Sequence, residues 1–318
     1  MIYTKDISSR FLERLTEMFG VSLVGQIKQT FTKKPITFRV NSIKAKKQEI
    51  KNILLEKGFK VGDISWYKDA FVLQNKWKQD IMDLDIYKEG KIYMQSLASM
   101  VPPLVLNPKP GEKVLDLTAA PGSKTSQIAG LMNKKGELVA NDNNKIRFFK
   151  LKHNMDLLGV SGGDFLKLRM EDGMTLVKEY SNYFDKILLD TSCSAEARFI
   201  DGKAKTYSFW QEDKIKKIAF IQRKLLFSAW SALKPGGTLV YSTCTFAPEE
   251  NELQISKFLE ENYDCELLEV ELSDLKKLPI VKSWKGCEID KQVIKKAIRI
   301  MPTKQIEGFF VVKMMKKS

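Results

Sequence analysis

The stretch KVLDLTAAPGSKT, residues 113–125, decides the reading of the fold: an apolar strand, a loop of small residues, and a helix starting near Ser123. Such a loop leaves free backbone N–H groups at a helix start, a place suited to a polar ligand. Gly122 is its only glycine, so the segment is not the GxGxxG loop of dinucleotide folds. A single wide turn fits a ligand without a pyrophosphate better than a dinucleotide. The residues expected to line it are Thr118, Ala119, Ala120, Pro121, Gly122, Ser123 and Lys124.

Outward from this loop, strand-like and helix-like segments alternate. ELVAND (137–142) precedes a helix over 144–159, then DFLKLRM (164–170) and FDKILLD (184–190) read as strands. A long helix over 213–234 leads to TLVYSTC (238–244), PEENELQISKFLEEN (248–262) to a strand from Cys265, and GFFVVKMMK (308–316) closes the series. This alternation predicts a doubly wound, mostly parallel sheet with helical crossovers, and VLDL and ILLD read as strands buried on both faces. Asp142 follows Gly122 by 20 residues, the separation at which a carboxylate grips ribose hydroxyls, and is the expected ribose ligand; the alternative role is to cap the next helix with Asn143. Asp172 and Asp190 end the next two strands, so the three carboxylates are expected to face one crevice at the carboxyl ends of the sheet.

Before residue 100 the style differs. FLERLTEMFG reads as a helix, PITFRVNSIK as a strand, KKQEIKNILLEKGF as an amphipathic helix and ISWYKDAFVLQ as strand material. The expected organisation is a small α+β unit over 1–100 and an α/β unit over 101–318. Net charge is +14, with Lys+Arg 53 against Asp+Glu 39. Such a field draws polyanions, although a skew toward lysine can also arise from genome composition. Residues 26–51 concentrate it: Lys28, Lys33, Lys34, Arg39, Lys44, Lys46, Lys47 and Lys51 stand against Glu49 alone, a candidate phosphate-binding face.

Composition excludes several chemistries. His153 is the only histidine, which removes Ser/His/Asp hydrolysis, HExxH metalloproteases and Cys/His pairs. The four cysteines, 193, 244, 265 and 287, contain no CxxC pair, which argues against a zinc site and a disulfide framework. SLASMVPPLVL (96–106) is too short for a bilayer and is interrupted by Pro102 and Pro103, and MIYTKDISSR does not read as a signal peptide. A cytoplasmic protein without membrane or metal is expected, with a monomer as the default.

Five ordered motifs, DLTAAPGSKT, FDKILLDTSCS, KPGGTLVYSTCTFAPEENE, EGFFVVKMMKK and the earlier FRVNSIK, together resemble the Sun/Fmu (Nop2/Sun) family of S-adenosylmethionine-dependent RNA cytosine-5 methyltransferases. The resemblance runs from about residue 10 to the end. It implies a Rossmann-like class I methyltransferase fold, S-adenosylmethionine as cofactor, and rRNA or tRNA as partner. Cytosine C5 is a poor nucleophile until a thiolate adds to C6 and makes the ring an enamine. By resemblance Cys244 supplies that thiolate and Cys193 helps release the product. Asp190 contacts N3 and the amino group of the base, and Lys124 stands near substrate and cofactor in an electrostatic or structural role. The chain departs from the family at DTSCSAEA, where Ser192 replaces a proline and Ala195 a glycine; Thr118 and Ser123 are small replacements in the cofactor loop. DNA cytosine methyltransferases fit less well, since Cys193 lacks a preceding proline and STC is intact. The reading from another class is an RNA-binding assembly factor that keeps this fold without turnover.

Overall fold

A computed structural model describes residues 6–318. Helix α1 (Ser9–Lys28) leads to a small sheet formed by β1 (Thr37–Val40), β2 (Val61–Asp63), β3 (Ala70–Leu73) and β4 (Ile92–Met94) in the antiparallel order β2-β3-β1-β4. Helix α2 (Lys47–Glu56) and the short α3 (Lys78–Met82) and α4 (Asp85–Lys88) complete this unit, and Phe38, Ile50, Leu54 and Phe71 fill its core. Helix α1 does not pack there. Its Phe11, Leu15 and Phe19 join the core of the larger sheet, and buried Arg14 bonds Glu212 and Glu249 at 2.7 Å each. The cores therefore divide the chain differently from the sequence at this end.

Helix α5 (Leu97–Leu106) carries Pro102 and Pro103 in its interior without breaking, contrary to the interruption read from the sequence. Pro103 has no N–H for the Ser99 carbonyl. Gln95 Nε2 donates to that oxygen instead, at 3.0 Å.

The larger sheet has nine strands. Its parallel block is β7-β6-β5-β8-β9, formed by β5 (Lys113–Asp116), β6 (Glu137–Asn141), β7 (Leu166–Arg169), β8 (Phe184–Asp190) and β9 (Leu233–Thr243). Helices α6 (Ser123–Leu131), α7 (Lys145–Leu157), α8 (Gly173–Leu176) and α9 (Glu212–Ala232) make the crossovers. Beyond β9, helix α10 (Glu252–Glu261) leads to β10 (Cys265–Leu268) and β11 (Lys277–Leu278). A hairpin of β12 (Ser283–Trp284) and β13 (Cys287–Glu288), helix α11 (Lys291–Lys296), β14 (Ile298–Ile300) and β15 (Phe309–Lys316) follow. Here the alternation stops predicting direction: β15 runs antiparallel to β9, and β10 and β14 pair with β15 antiparallel. Among the described residues no helix is long and apolar enough to cross a membrane, and no cluster of His, Cys, Asp and Glu could hold a metal ion.

The small sheet docks on α6 and α7 through buried polar groups. Arg39 bonds Gln95 Oε1 at 2.8 Å and the hydroxyl of Ser126, and Asn41 Nδ2 donates to the carbonyls of Gly90 and Leu158 at 2.8 Å each. The structure divides the basic residues expected to form one face over 26–51: Lys28, Lys33 and Lys46 are exposed, while the others are engaged. Arg39 is buried, Lys34 gives its ammonium to the Thr30 and Thr303 carbonyls, Lys44 to those of Glu89 and Leu157, and Lys47 and Lys51 both pair with Asp63. One-dimensional spacing along strand and helix places these cations on different faces.

Candidate active site

The chain runs from β5 out to β6 and β7, then returns to β8 and β9 on the other side, so the order reverses between β5 and β8. Loops diverge at such a point and leave a crevice at the carboxyl ends of the strands. Asp116 ends β5 and Asp190 ends β8. Asp190 lies opposite Ser242 in register, so the loops carrying Cys193 and Cys244 leave adjacent strands at one level. Their sulfurs stand 3.2 Å apart, both half-buried.

The contact between the sulfurs, more than the charges around it, sets the two thiols apart. The hydrogen bond to Cys193 first, and then the cationic field of Arg198 and Lys124, hold Cys244 below its ordinary value although burial opposes it. The same contact, burial and the Glu250 carboxylate push Cys193 well above its own. Asp190 is fixed on both oxygens: Lys124 Nζ lies 2.6 Å from Oδ2, and the Ser242 hydroxyl donates to Oδ1 at 2.7 Å. Lys124 also donates to Ser99 Oγ at 2.7 Å, and the Thr118 hydroxyl to the Asp190 carbonyl at 2.9 Å.

A buried polar cluster latches the two cysteine loops. Glu250 accepts from Ser194 N at 3.1 Å and from Gln222 Nε2 at 2.8 Å, while that same nitrogen donates to the Ser192 carbonyl at 2.9 Å. The Ser194 hydroxyl meets Thr245 Oγ1 at 2.6 Å, beside Cys244. Burial pushes the Glu250 carboxyl up to about 7. Ala195 follows in the left-handed region at φ 55°, a conformation that favours the glycine expected from the resemblance.

Two cavities open on this crevice. One of about 560 Å³ is lined by Asp116, Lys124, Asp190, Cys193 and Cys244 together with Thr118, Ala119, Ala120, Pro121 and Ser123. The other, about 210 Å³, is lined by Asp142 and Asp172 together with Ile218, Ile221 and Leu225 of α9. Thr118, Arg147 and Cys193 belong to both, so the two adjoin. Gly122 lines neither: its φ of 101° favours glycine, and the ends of Met155 and Leu151 of α7 lie where a Cβ would stand. Asp142 accepts from Ala120 N at 3.2 Å, pairs with Arg147 at 3.2 Å and accepts from Asn144 N at 3.1 Å, while Asn144 itself caps α7. Asp172 lies beyond the end of β7 and caps α8 through Met174 N and Thr175 N. His153 lines neither of these cavities; it stands with Phe149 and Tyr87 in another, which shares Tyr93, Met94 and Pro121 with the larger of the two.

Sequence reasoning missed Asp116, Arg147 and Arg198. Asp116 is fully buried, its Oδ1 lacks a hydrogen-bond partner, and burial pushes its carboxyl up to about 7. A lone carboxylate inside the apolar run VLDL was the available signal.

Residues 103–315 match the family described as 16S rRNA methyltransferase RsmB/F. The chain belongs to this family. The tRNA (cytosine(49)-C(5))-methyltransferase of Pyrococcus abyssi is 37% identical over 281 residues, covering 88% of each chain. Ribosomal RNA small subunit methyltransferase F of Shewanella amazonensis is 33% identical over 88% of this chain but only 58% of its own length. The 26S rRNA (cytosine-C(5))-methyltransferase nsun-1 of Caenorhabditis elegans is 33% identical over 86% of this chain and 42% of its own. The chain thus spans about half the length of those rRNA relatives. Among solved structures, a methyltransferase homologue from Pyrococcus horikoshii superposes with a TM-score of 0.84 at 33% identity over 98% of this chain and 95% of that one. Membership agrees with the resemblance read from the motifs, and the fold of this family member is the methyltransferase α/β fold.

Proposed function

We propose that this family member transfers a methyl group from S-adenosylmethionine to C5 of a cytosine in RNA through a covalent adduct between Cys244 and C6. The observation that carries the reading is the convergence of two sulfurs 3.2 Å apart and the Asp190–Lys124 pair on one cavity.

The residues present fit the cofactor. Asp142 keeps acceptor capacity on Oδ1 for a ribose hydroxyl, Ile218, Ile221 and Leu225 offer an apolar wall for an adenine ring, and Asp116 Oδ1 is buried without a donor. When bound, S-adenosylmethionine supplies an electrophilic methyl group on a sulfonium. The protein supplies everything else. Cys244 adds as thiolate to C6, forming the S–C6 bond and moving electron density to C5. Asp190, held by Lys124 and Ser242, faces N3 and the amino group of the base and favours protonation at N3 as the ring accepts charge. Methylation leaves a proton on C5 that must depart. Cys193, after losing its own proton to solvent, accepts it as thiolate; the C5–H pair restores the C5–C6 double bond, the S–C6 bond breaks with its electron pair returning to Cys244, and N3 gives up the proton it gained. Formation of the adduct removes the thiolate that raised the Cys193 pKa, so the second sulfur becomes easier to ionise when its turn comes.

A folded RNA is the substrate class, and the tRNA relative matched over 88% of both chains makes tRNA the first RNA to assay. Purified protein given radiolabelled S-adenosylmethionine should label tRNA or rRNA at C5 of cytosine. Absence of transfer to total RNA would favour the inactive RNA-binding reading. Replacing Asp142 with Ala should weaken S-adenosylmethionine binding by roughly 1–3 kcal/mol in calorimetry; unchanged affinity would move the ribose ligand elsewhere.

A further inference from the structure

A further cavity of about 580 Å³ adjoins the catalytic one, and Met94, Gln95, Arg198 and Glu307 line both, so the two form one trough. Its walls carry Lys78 and Arg198, the half-exposed ring of Phe209, and the apolar Ile36 and Phe199. Cations with an aromatic face are what a nucleotide needs for its phosphate and its base. Glu307 is the exception to this pattern. Its Oε2 is buried and has no hydrogen-bond partner, and the nearby Lys34 ammonium is engaged by the Thr30 and Thr303 carbonyls at 2.6 and 2.7 Å. The chain passes close to the core here: a Cβ on the following Gly308 would lie 2.8 Å from the Phe246 ring and 3.2 Å from Ala197.

A desolvated carboxylate oxygen without a donor is costly unless a ligand supplies one. It repels phosphate, so its complement within an RNA chain is the N–H edge of a base. Guanine places two adjacent donors, N1–H and N2–H, on its Watson–Crick edge, and these match the two oxygens of a carboxylate once the Glu307 side chain turns Oε2 out of its packing into the trough. We propose that this cavity receives a guanine adjacent to the target cytosine, with Glu307 reading its Watson–Crick edge, Phe209 against its ring and Lys78 toward its phosphate. This selection rests on the proposed RNA methylation and adds a sequence preference to it.

The test begins by locating the cytosine that the parent protein methylates in total RNA, by bisulfite sequencing. Transcripts carrying each of the four nucleotides at each neighbouring position are then assayed for kcat/KM. The parent should favour guanine at one neighbouring position by about tenfold, the ratio worth ~1.4 kcal/mol. Glu307→Gln should bring kcat/KM on the guanine transcript down to the level of the other three. Phe209→Ala should raise KM for all four and leave the guanine preference in place. A parent indifferent to both neighbours overturns the proposal. So does a Glu307→Gln protein that keeps the parent's preference or loses the same factor on all four transcripts. A parent that methylates no cytosine removes the RNA methylation reading itself, and the base-reading role falls with it.

Discussion

At the scale of single residues, the contact between two sulfurs carries the proposed chemistry. Cys244 is lowered first by the hydrogen bond with Cys193 and then by Arg198 and Lys124. Adduct formation with RNA should therefore rise with pH and level off below the ordinary thiol range. Removing that bond in Cys193→Ala should move that profile to higher pH, measured as the rate of covalent complex formation in a single turnover. An unmoved profile would mean that the cations alone hold the thiolate. Glu250 offers a second titration. Its folded carboxyl stands at about 7 against an ordinary 4.5, so its contribution to stability is present below pH 4.5 and is lost as pH rises through 7. That loss is on the order of 3 kcal/mol. Asp116, also raised to about 7, titrates in the same direction. Glu250→Gln should thus melt higher than the parent at pH 8 and show a shallower decline in Tm between pH 5 and 8. Equal slopes would assign the titration to Asp116 alone.

At the scale of elements, the loops after β8 and β9 hold the site, and the loop between Asp190 and Ala197 carries its own strain. Ala195 occupies a left-handed conformation at φ 55° where a side chain is disfavoured. Ala195→Gly should therefore stabilise the protein by about 1 kcal/mol, read from chemical denaturation. A loss of stability would show that the Ala195 methyl packs better than its backbone suffers. The sequence made the parallel block legible because buried strands and amphipathic crossovers leave different periodicities, and STC and DTSC marked the two sulfurs. It did not show that Gly122 lies against α7, because a glycine in a ligand loop and one under a helix look alike in one dimension. It also hid the passage of α5 through two prolines, which depends on Gln95 reaching the freed Ser99 carbonyl. Asp172 was legible as an acidic residue after a strand, but not as the cap that α8 requires.

At the scale of the whole molecule, charge was the least legible property. The count over 26–51 was sound, yet Arg39 turned inward and Lys47 and Lys51 turned to Asp63, because a partner distant in sequence decides where a lysine points. RNA affinity should still fall as salt rises. Lys51→Ala should leave the slope of log affinity against log salt unchanged, whereas Lys78→Ala, on the trough wall, should reduce it by about 0.7. Identical slopes for both would place the backbone elsewhere on the surface. The central claim, a division of labour between two sulfurs, is tested most directly by denaturing electrophoresis of each cysteine variant after incubation with RNA and S-adenosylmethionine. The account predicts that Cys193→Ala accumulates as a covalent protein–RNA species after at most about one turnover, while Cys244→Ala forms none and transfers no methyl group. Covalent RNA on Cys244→Ala and none on Cys193→Ala would reverse the roles and contradict it.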